Sequence, residues 1–172
     1  MGWRINTSHP GKLEEFRRYL GDVEVVRLDL REPDADAVTV ARYKASQFDG
    51  VLVDDTSLFV EGADVGVNVR WLLERLPEFE GRRATFVCLL AIRRGDRVEI
   101  FEGRTSGRLV AARGGSFGFN RHFLPDGNDR TFGEEIPDAL NPRYLAVQAL
   151  LAAAPTRVES PLPTWDGPFQ AD

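Results

Sequence analysis

Residues Gly50-Val51-Leu52-Val53-Asp54-Asp55-Thr56-Ser57-Leu58-Phe59-Val60 run from an apolar segment straight into two adjacent carboxylates. A short apolar run bounded by turn signals predicts a buried strand, central in a sheet. Carboxylates at the mouth of such a strand are costly to bury unless something compensates them. A divalent cation is one compensation, because Mg²⁺ takes oxygen ligands from Asp and Glu. The plainer alternative is a strand-end Asp that caps a turn beside a solvated neighbour. The two residues alone leave both open.

The rest of the chain sets bounds on what surrounds this strand. It has 172 residues, 42% hydrophobic and 28% charged, enough for one core and most simply one domain. A net charge of −5 argues against a protein whose main task is to grip nucleic-acid backbone, yet allows a local basic pocket for a small phosphorylated ligand. The apolar runs are too short for a membrane span and no leader pattern opens the chain. The single cysteine, Cys88, lies in an apolar run, which suits a small buried side chain in a reducing cytoplasm. Of 22 basic residues only Lys12 and Lys44 are lysine, so each marks a place where a compact ammonium rather than a guanidinium fork is present.

Upstream of the acidic strand, Trp3 to Thr7 reads as a strand and Ser8-His9-Pro10-Gly11-Lys12 as a polar turn. Leu13, Phe16 and Leu20 come next at helical spacing, with Gly21 as a stop. Strand, polar turn and helix bring N–H groups and a lysine to a helix N-terminus, where anions bind; an ordinary strand–helix turn has the same layout. Val23 to Leu30 alternates as a second strand, and a helix is predicted from about Ala37 to Phe48. Downstream, Val67 to Leu76 has a helical face. Ala84 to Ile92 and Val98 to Phe101 flank a Gly95-Asp96 hairpin turn, Leu109-Val110 is a further short strand, and Pro142 to Ala153 closes with a helix. Strand–helix units succeeded by hairpins predict a mixed α/β sheet. The division expected is one domain over 1–154 and a proline-rich tail over 155–172 that drapes or frays; from Pro155 on it holds four of the ten prolines.

Several of these pieces, in this order, resemble the inosine triphosphate pyrophosphatase family, also called the Ham1-like nucleotidases. Thr7 to Phe16 is similar to the family's opening Thr-x-Asn-x-x-Lys-Leu-Glu-Glu. Val53 to Leu58 resembles its acidic-Asp-Thr/Ser-x-Leu centre, and Gly66 through Glu74 its Trp-x-Leu helix entry. The block from Phe101 to Val110 continues through Phe117-Gly118-Phe119, Phe123 to Gly127 and Thr131 to Glu134. The resemblance spans about residues 3 to 153. It implies an elongated, two-lobed mixed α/β fold with flanking helices, a homodimer, and an active cleft between the lobes. It also implies Mg²⁺-dependent hydrolysis of a nucleoside triphosphate to the monophosphate and pyrophosphate.

Carried over by position, Asp55 corresponds to the essential carboxylate that holds Mg²⁺ and helps activate water, and Asp54 to its acidic neighbour. Glu32 corresponds to a second metal ligand. Thr7, Ser8, His9, Lys12 and Lys44 fall at phosphate-binding positions, so both lysines of the chain lie at or near phosphate. Phe117, Gly118, Phe119, Asn120 and Arg143 correspond to the base-binding set. Departures gather in that set: Asn120 stands for an Asp, Leu140 for a Lys, and the family's Ser-His pair is missing before Arg143. The implied alternatives are a pyrophosphatase with altered base preference, an ordinary inosine/xanthosine triphosphatase with a rebuilt C-terminal motif, and an inactive nucleotide-binding homologue.

Overall fold

The structure is a computed structural model that describes residues 2–63, 74–116 and 118–170. The helix expected from Val67 to Leu76 lies mainly outside the described residues, as do the Gly66–Trp71 motif and Phe117. Within the described residues, β1 (Trp3–Asn6), α1 (Pro10–Leu20), β2 (Val23–Val25), α2 (Ala37–Ser46) and β3 (Leu52–Val60) come first. After them come β4 (Arg83–Arg94), β5 (Arg97–Leu109), β6 (Phe123–Pro125), α3 (Pro142–Leu151) and β7 (Arg157–Glu159).

The strands form one mixed sheet in the order β2-β1-β3-β4-β5-β6, with β7 on the other part of β5. β1 pairs parallel with β2 and β3, and α1 and α2 are the two crossover connections. From β3 onward every pairing is antiparallel, as the hairpin signals require. Helix α1 starts at Pro10, whose fixed φ suits a first helical turn, and stops at Gly21, whose φ of 83° is open to glycine. Asp36 caps α2 by accepting from the Thr39 N–H, and Asn141 caps α3 by accepting from the Arg143 N–H.

Alternation along β3 sorts the core onto two faces. Leu52 packs with Phe16, Cys88, Leu90, Phe101 and Ala146, on the face covered by α1 and α3. Val53 packs with Ala37, Ala41, Ala45, Leu89 and Ile100, on the face covered by α2. Farther along the same strands, Leu58, Val60, Phe86, Phe119, Phe123 and Phe132 form a second body of core. Asp54 and Asp55 therefore sit where one part of the core gives way to the other.

Strand β5 departs from expectation. The pattern predicts two short strands; one thirteen-residue strand is found, paired with β4 from Arg97 to Arg108. Glycine and charged residues obscure its pattern, and the reason is packing. A Cβ on Gly103 would stand 1.9 Å from the Pro142 carbonyl oxygen and 2.6 Å from the Ala146 nitrogen, so α3 lies directly on strand backbone.

Cys88 is fully buried, and burial pushes its thiol up to about 12, against the influence of Arg143. The thiol is therefore expected to ignore a water-soluble disulfide reagent until the chain unfolds. Rapid stoichiometric labelling of the folded protein would contradict this packing.

Candidate active site

Because successive strand residues point to opposite faces, the two carboxylates of β3 separate. Asp54 shares the face of Leu52 and meets α1 and α3; Asp55 shares the face of Val53 and meets α2. Lys12, in the first turn of α1, places Nζ 3.0 Å from Asp54 Oδ2 and 3.5 Å from Thr56 Oγ1. Arg143, in the first turn of α3, brings Nη2 within 3.5 Å of the same Asp54 oxygen and binds Glu15 through Nη1. From the other face, Lys44 donates to the Asp54 backbone carbonyl at 2.8 Å and to Glu32 Oε1 at 3.0 Å. The chain's only lysines thus approach one residue from both sides of the sheet.

This asymmetry drives the two carboxyls apart electrostatically. Both are buried, which by itself favours the neutral acid. At Asp54 that penalty is overcome by Lys12, Arg143 and Lys44, which hold the carboxyl far below the usual range. At Asp55 burial dominates and the anions of Glu32 and Asp54 add to it, against Lys44, pushing the carboxyl up to about 7. Burial works against the charge of Lys44, but Glu32, Asp54 and Asp55 together hold its ammonium above its ordinary value.

A cavity of about 680 Å³ opens here, and Thr7, Ser8, His9, Lys12, Glu32, Lys44 and Asp54 all line it. Every expected phosphate position is in that wall. Residues Val26 to Leu30 form the opposite side. They leave β2 early, because the Asn6 amide donates to the carbonyls of Val26 at 2.9 Å and Leu28 at 3.0 Å. Asn6 shapes the cavity and is absent from the residues expected there; its only signal in the sequence is an amide at the end of a buried strand.

His9 has a specific local role. Its Nδ1 accepts from the N–H groups of Gly11 at 3.1 Å and Lys12 at 3.4 Å, capping α1. Burial, then Lys12 and Arg143, lower its pKa, against Asp54, so the ring stays neutral and its acceptor is preserved. Two N–H groups that could otherwise face an anion are thereby occupied.

The residues expected to contact the base are placed differently. Asn120 and Arg143 line a separate small cavity with Glu15, Phe86, Phe132, Ile136 and Asn141. Asn120 is buried and donates to Ser116 Oγ at 3.0 Å. Phe119 is buried edge-on against Phe86, with ring centroids 4.6 Å apart, and Gly118 forms an exposed turn. Arg143 is 2% exposed, and its Nε has no hydrogen-bond partner among the described residues. Glu15 emerges as its main anionic partner, a role hidden in the sequence within an acidic pair on a helix. Leu140 ends a short 3₁₀ turn, where its carbonyl accepts from Thr105 Oγ1 at 2.6 Å.

Among the described residues no three His, Cys, Asp or Glu side chains form a ready cage for a metal ion. Asp55 and Glu32 nevertheless offer the hard oxygen donors that suit Mg²⁺, which keeps waters and uses substrate phosphates for the remainder. The donor set fits a cation that is completed by its substrate.

Comparison with known proteins shows which family this fold belongs to. A dITP/XTP pyrophosphatase of Pyrobaculum aerophilum is 35% identical over 174 residues, covering 86% of this chain and 92% of that protein. One from Thermococcus kodakarensis is 34% identical over 159 residues, covering 78% and 85%. A HAM1 protein from Coxiella burnetii superposes with a TM-score of 0.71 at 22% identity, covering 89% of this chain and 98% of the other. The Ham1 family model matches residues 3–153, and the chain belongs to the Ham1 family.

Proposed function

We propose that the chain is a nucleoside triphosphate pyrophosphatase that hydrolyses the α–β phosphoanhydride, with Mg²⁺ as cofactor, releasing the monophosphate and pyrophosphate. The observation that carries this is the convergence of Lys12 and Lys44 on Asp54 beside a cavity that all three line. Two ammonium groups pre-positioned by Asp54 and Glu32 can grip a triphosphate without first being ordered. The family membership and the names of its relatives support the same activity.

In this proposal Asp55 and Glu32 hold Mg²⁺, which when bound neutralises phosphate charge and polarises the anhydride. Lys12 and Lys44 bind the phosphate chain, and the hydroxyls of Thr7 and Ser8 add donors along it. Asp54 stays ionised and keeps both lysines and Arg143 aimed. With the cation bound, Asp55 would stay a carboxylate and be the group that accepts the proton of the attacking water. Water adds at the phosphorus of the α–β bridge, the bridging P–O bond breaks, and pyrophosphate leaves. If the products were the diphosphate and inorganic phosphate, this assignment would be wrong.

For the base, we infer a weakened preference for inosine or xanthosine triphosphate. Leu140 replaces a donor lysine, and the Ser-His pair is missing. A site that hydrogen-bonds its substrate rejects analogues by about 10⁴–10⁵, and that discrimination goes with the groups. A second reading, retention of dITP/XTP selectivity, has the relatives' names in its favour and the open Nε of Arg143 as a remaining donor. Pyrophosphate release from a panel of purine and pyrimidine triphosphates separates them: we expect the spread in kcat/KM to stay within about 10²-fold. Inosine triphosphate preferred by several orders of magnitude would establish the second reading.

A further inference from the structure

We infer that the C-terminal tail, beyond the residues the family model matches, is a strap that positions the Glu32 turn and so sets the affinity of the site for its divalent cation. This rests on the proposal that Glu32 is a metal ligand.

The family match ends at residue 153, and residues 154–170 run along the molecule. Strand β7 is fixed to β5 by pairing of Arg157, Val158 and Glu159 with Ile100, Glu99 and Val98. The chain then passes the C-terminal half of α2. Arg42 donates to the Ser160 carbonyl at 2.6 Å and to its hydroxyl at 2.8 Å, the Leu162 N–H donates to Ser46 Oγ at 2.7 Å, and the Gln47 amide donates to the Pro163 carbonyl at 3.1 Å. The end of the tail reaches the turn that carries Glu32. There the Gln170 N–H donates to the Glu32 carbonyl at 2.8 Å, and the Asp34 N–H donates to the Pro168 carbonyl at 2.9 Å. The Gln170 amide donates to the Pro33 carbonyl at 3.1 Å, and Pro33 and Phe169 form an antiparallel bridge. Phe169 is wedged between the Arg31 guanidinium, 4.4 Å from its ring centre, and the Tyr43 ring at 6.0 Å.

What makes this more than surface decoration is the lack of other support. Among the described residues, every backbone hydrogen bond of residues 31–35 is made to the tail. The Glu32 side chain is 36% exposed and is held by one ion pair, to Lys44. That pair anchors only the tip of the side chain, against the largely buried Lys44 ammonium. Backbone bonds and the Phe169 wedge set where the rest of the turn, and so the Glu32 carboxylate, stands relative to Asp55 and Lys44. Groups that orient a metal ligand change metal affinity by about 10–100-fold when lost. Phe169 and Gln170 touch neither phosphate nor the reacting atoms, and are positioning residues.

The test uses the full chain, Phe169→Ala, Phe169→Tyr, Glu32→Gln, and a chain ended after Gly167. Two quantities are read: Mn²⁺ binding without nucleotide, by electron paramagnetic resonance, and the Mg²⁺ concentration for half-maximal pyrophosphate release. We expect Phe169→Ala and the shortened chain to weaken both by roughly 10-fold or more, with kcat at saturating Mg²⁺ within about twofold of the parent. Phe169→Tyr, which keeps the ring, should restore both values. If Glu32→Gln weakens metal binding while Phe169→Ala and the shortened chain leave it unchanged, the strap is overturned and Glu32 stands as a ligand. If Glu32→Gln leaves metal binding unchanged, the ligand assignment fails and the strap falls with it.

Discussion

Asp55→Asn is expected to fold normally and to lose about 10²–10⁴-fold in turnover, the scale of a lost general base. Both halves of this expectation come from where β3 places the residue. Asp55 is buried against α2, where its carboxyl is pushed up to about 7. The neutral form is thus already accessible to the metal-free fold, and an isosteric amide imitates it. Asp54→Asn makes the opposite case, since it strips a firmly ionised carboxylate from Lys12, Arg143 and Lys44 and leaves three buried or half-buried cations facing one another. The measurements are kcat for pyrophosphate release and the metal-free melting temperature of both variants. Retained turnover in Asp55→Asn would remove that residue from the chemistry. Equal melting losses in the two variants would show that the carboxyls are not electrostatically different.

Adjacent carboxylates are visible in the sequence, but their separation is not. A run of apolar residues announces a buried strand, and Asp-Asp at its end announces charge. That the two side chains serve opposite faces emerges only when helices are known to cover both sides, one bringing Lys12 and another Lys44. The end of α1 is readable at Gly21, but Pro10 to Lys12, which reads as part of a polar turn, is its first helical turn. Strand β5 reads as two pieces because Gly103 answers to α3, a partner about forty positions away. The second strand reads too long, from Val23 to Leu30: the last ladder bond to β1 is from the Val26 N–H to the Ile5 carbonyl, and the Asn6 amide takes the carbonyls of Val26 and Leu28. For the site, the positions expected to bind phosphate arrive together in one cavity, because they lie past the end of β1, in the first turn of α1 and in the last turn of α2, which the sheet aligns. The aromatic and amide positions that resemblance assigns to the base depend on loops and on tertiary packing. Local sequence does not show that Phe119 lies against Phe86 or that Asn120 turns to Ser116.

Arg143 joins these two regions, and its removal should show how much the fold depends on that junction. Its guanidinium binds Glu15 through Nη1 and reaches Asp54 through Nη2, from a position 2% exposed. Glu15 is buried, and Asn141 donates to its other oxygen at 3.0 Å. Arg143→Met keeps much of the volume and removes the charge. Asp54 retains Lys12 and Lys44, but Glu15 is left with one neutral donor. Breaking a buried pair from one side costs about 3–5 kcal/mol. In a chain of this size each kcal/mol moves the melting temperature by about 2–4 °C, so a fall of roughly 6–20 °C is expected. The double variant Glu15→Gln with Arg143→Met should recover a large part of that loss, because neither partner then remains charged alone. The cycle is read from melting temperatures and denaturant midpoints of the parent, the two single variants and the double variant. A single-variant change within about 2 °C would mean that the guanidinium contributes nothing net. A double variant as unstable as the sum of the singles would mean that Glu15 and Arg143 act independently, and the buried ion pair would then not be what ties α1 to α3.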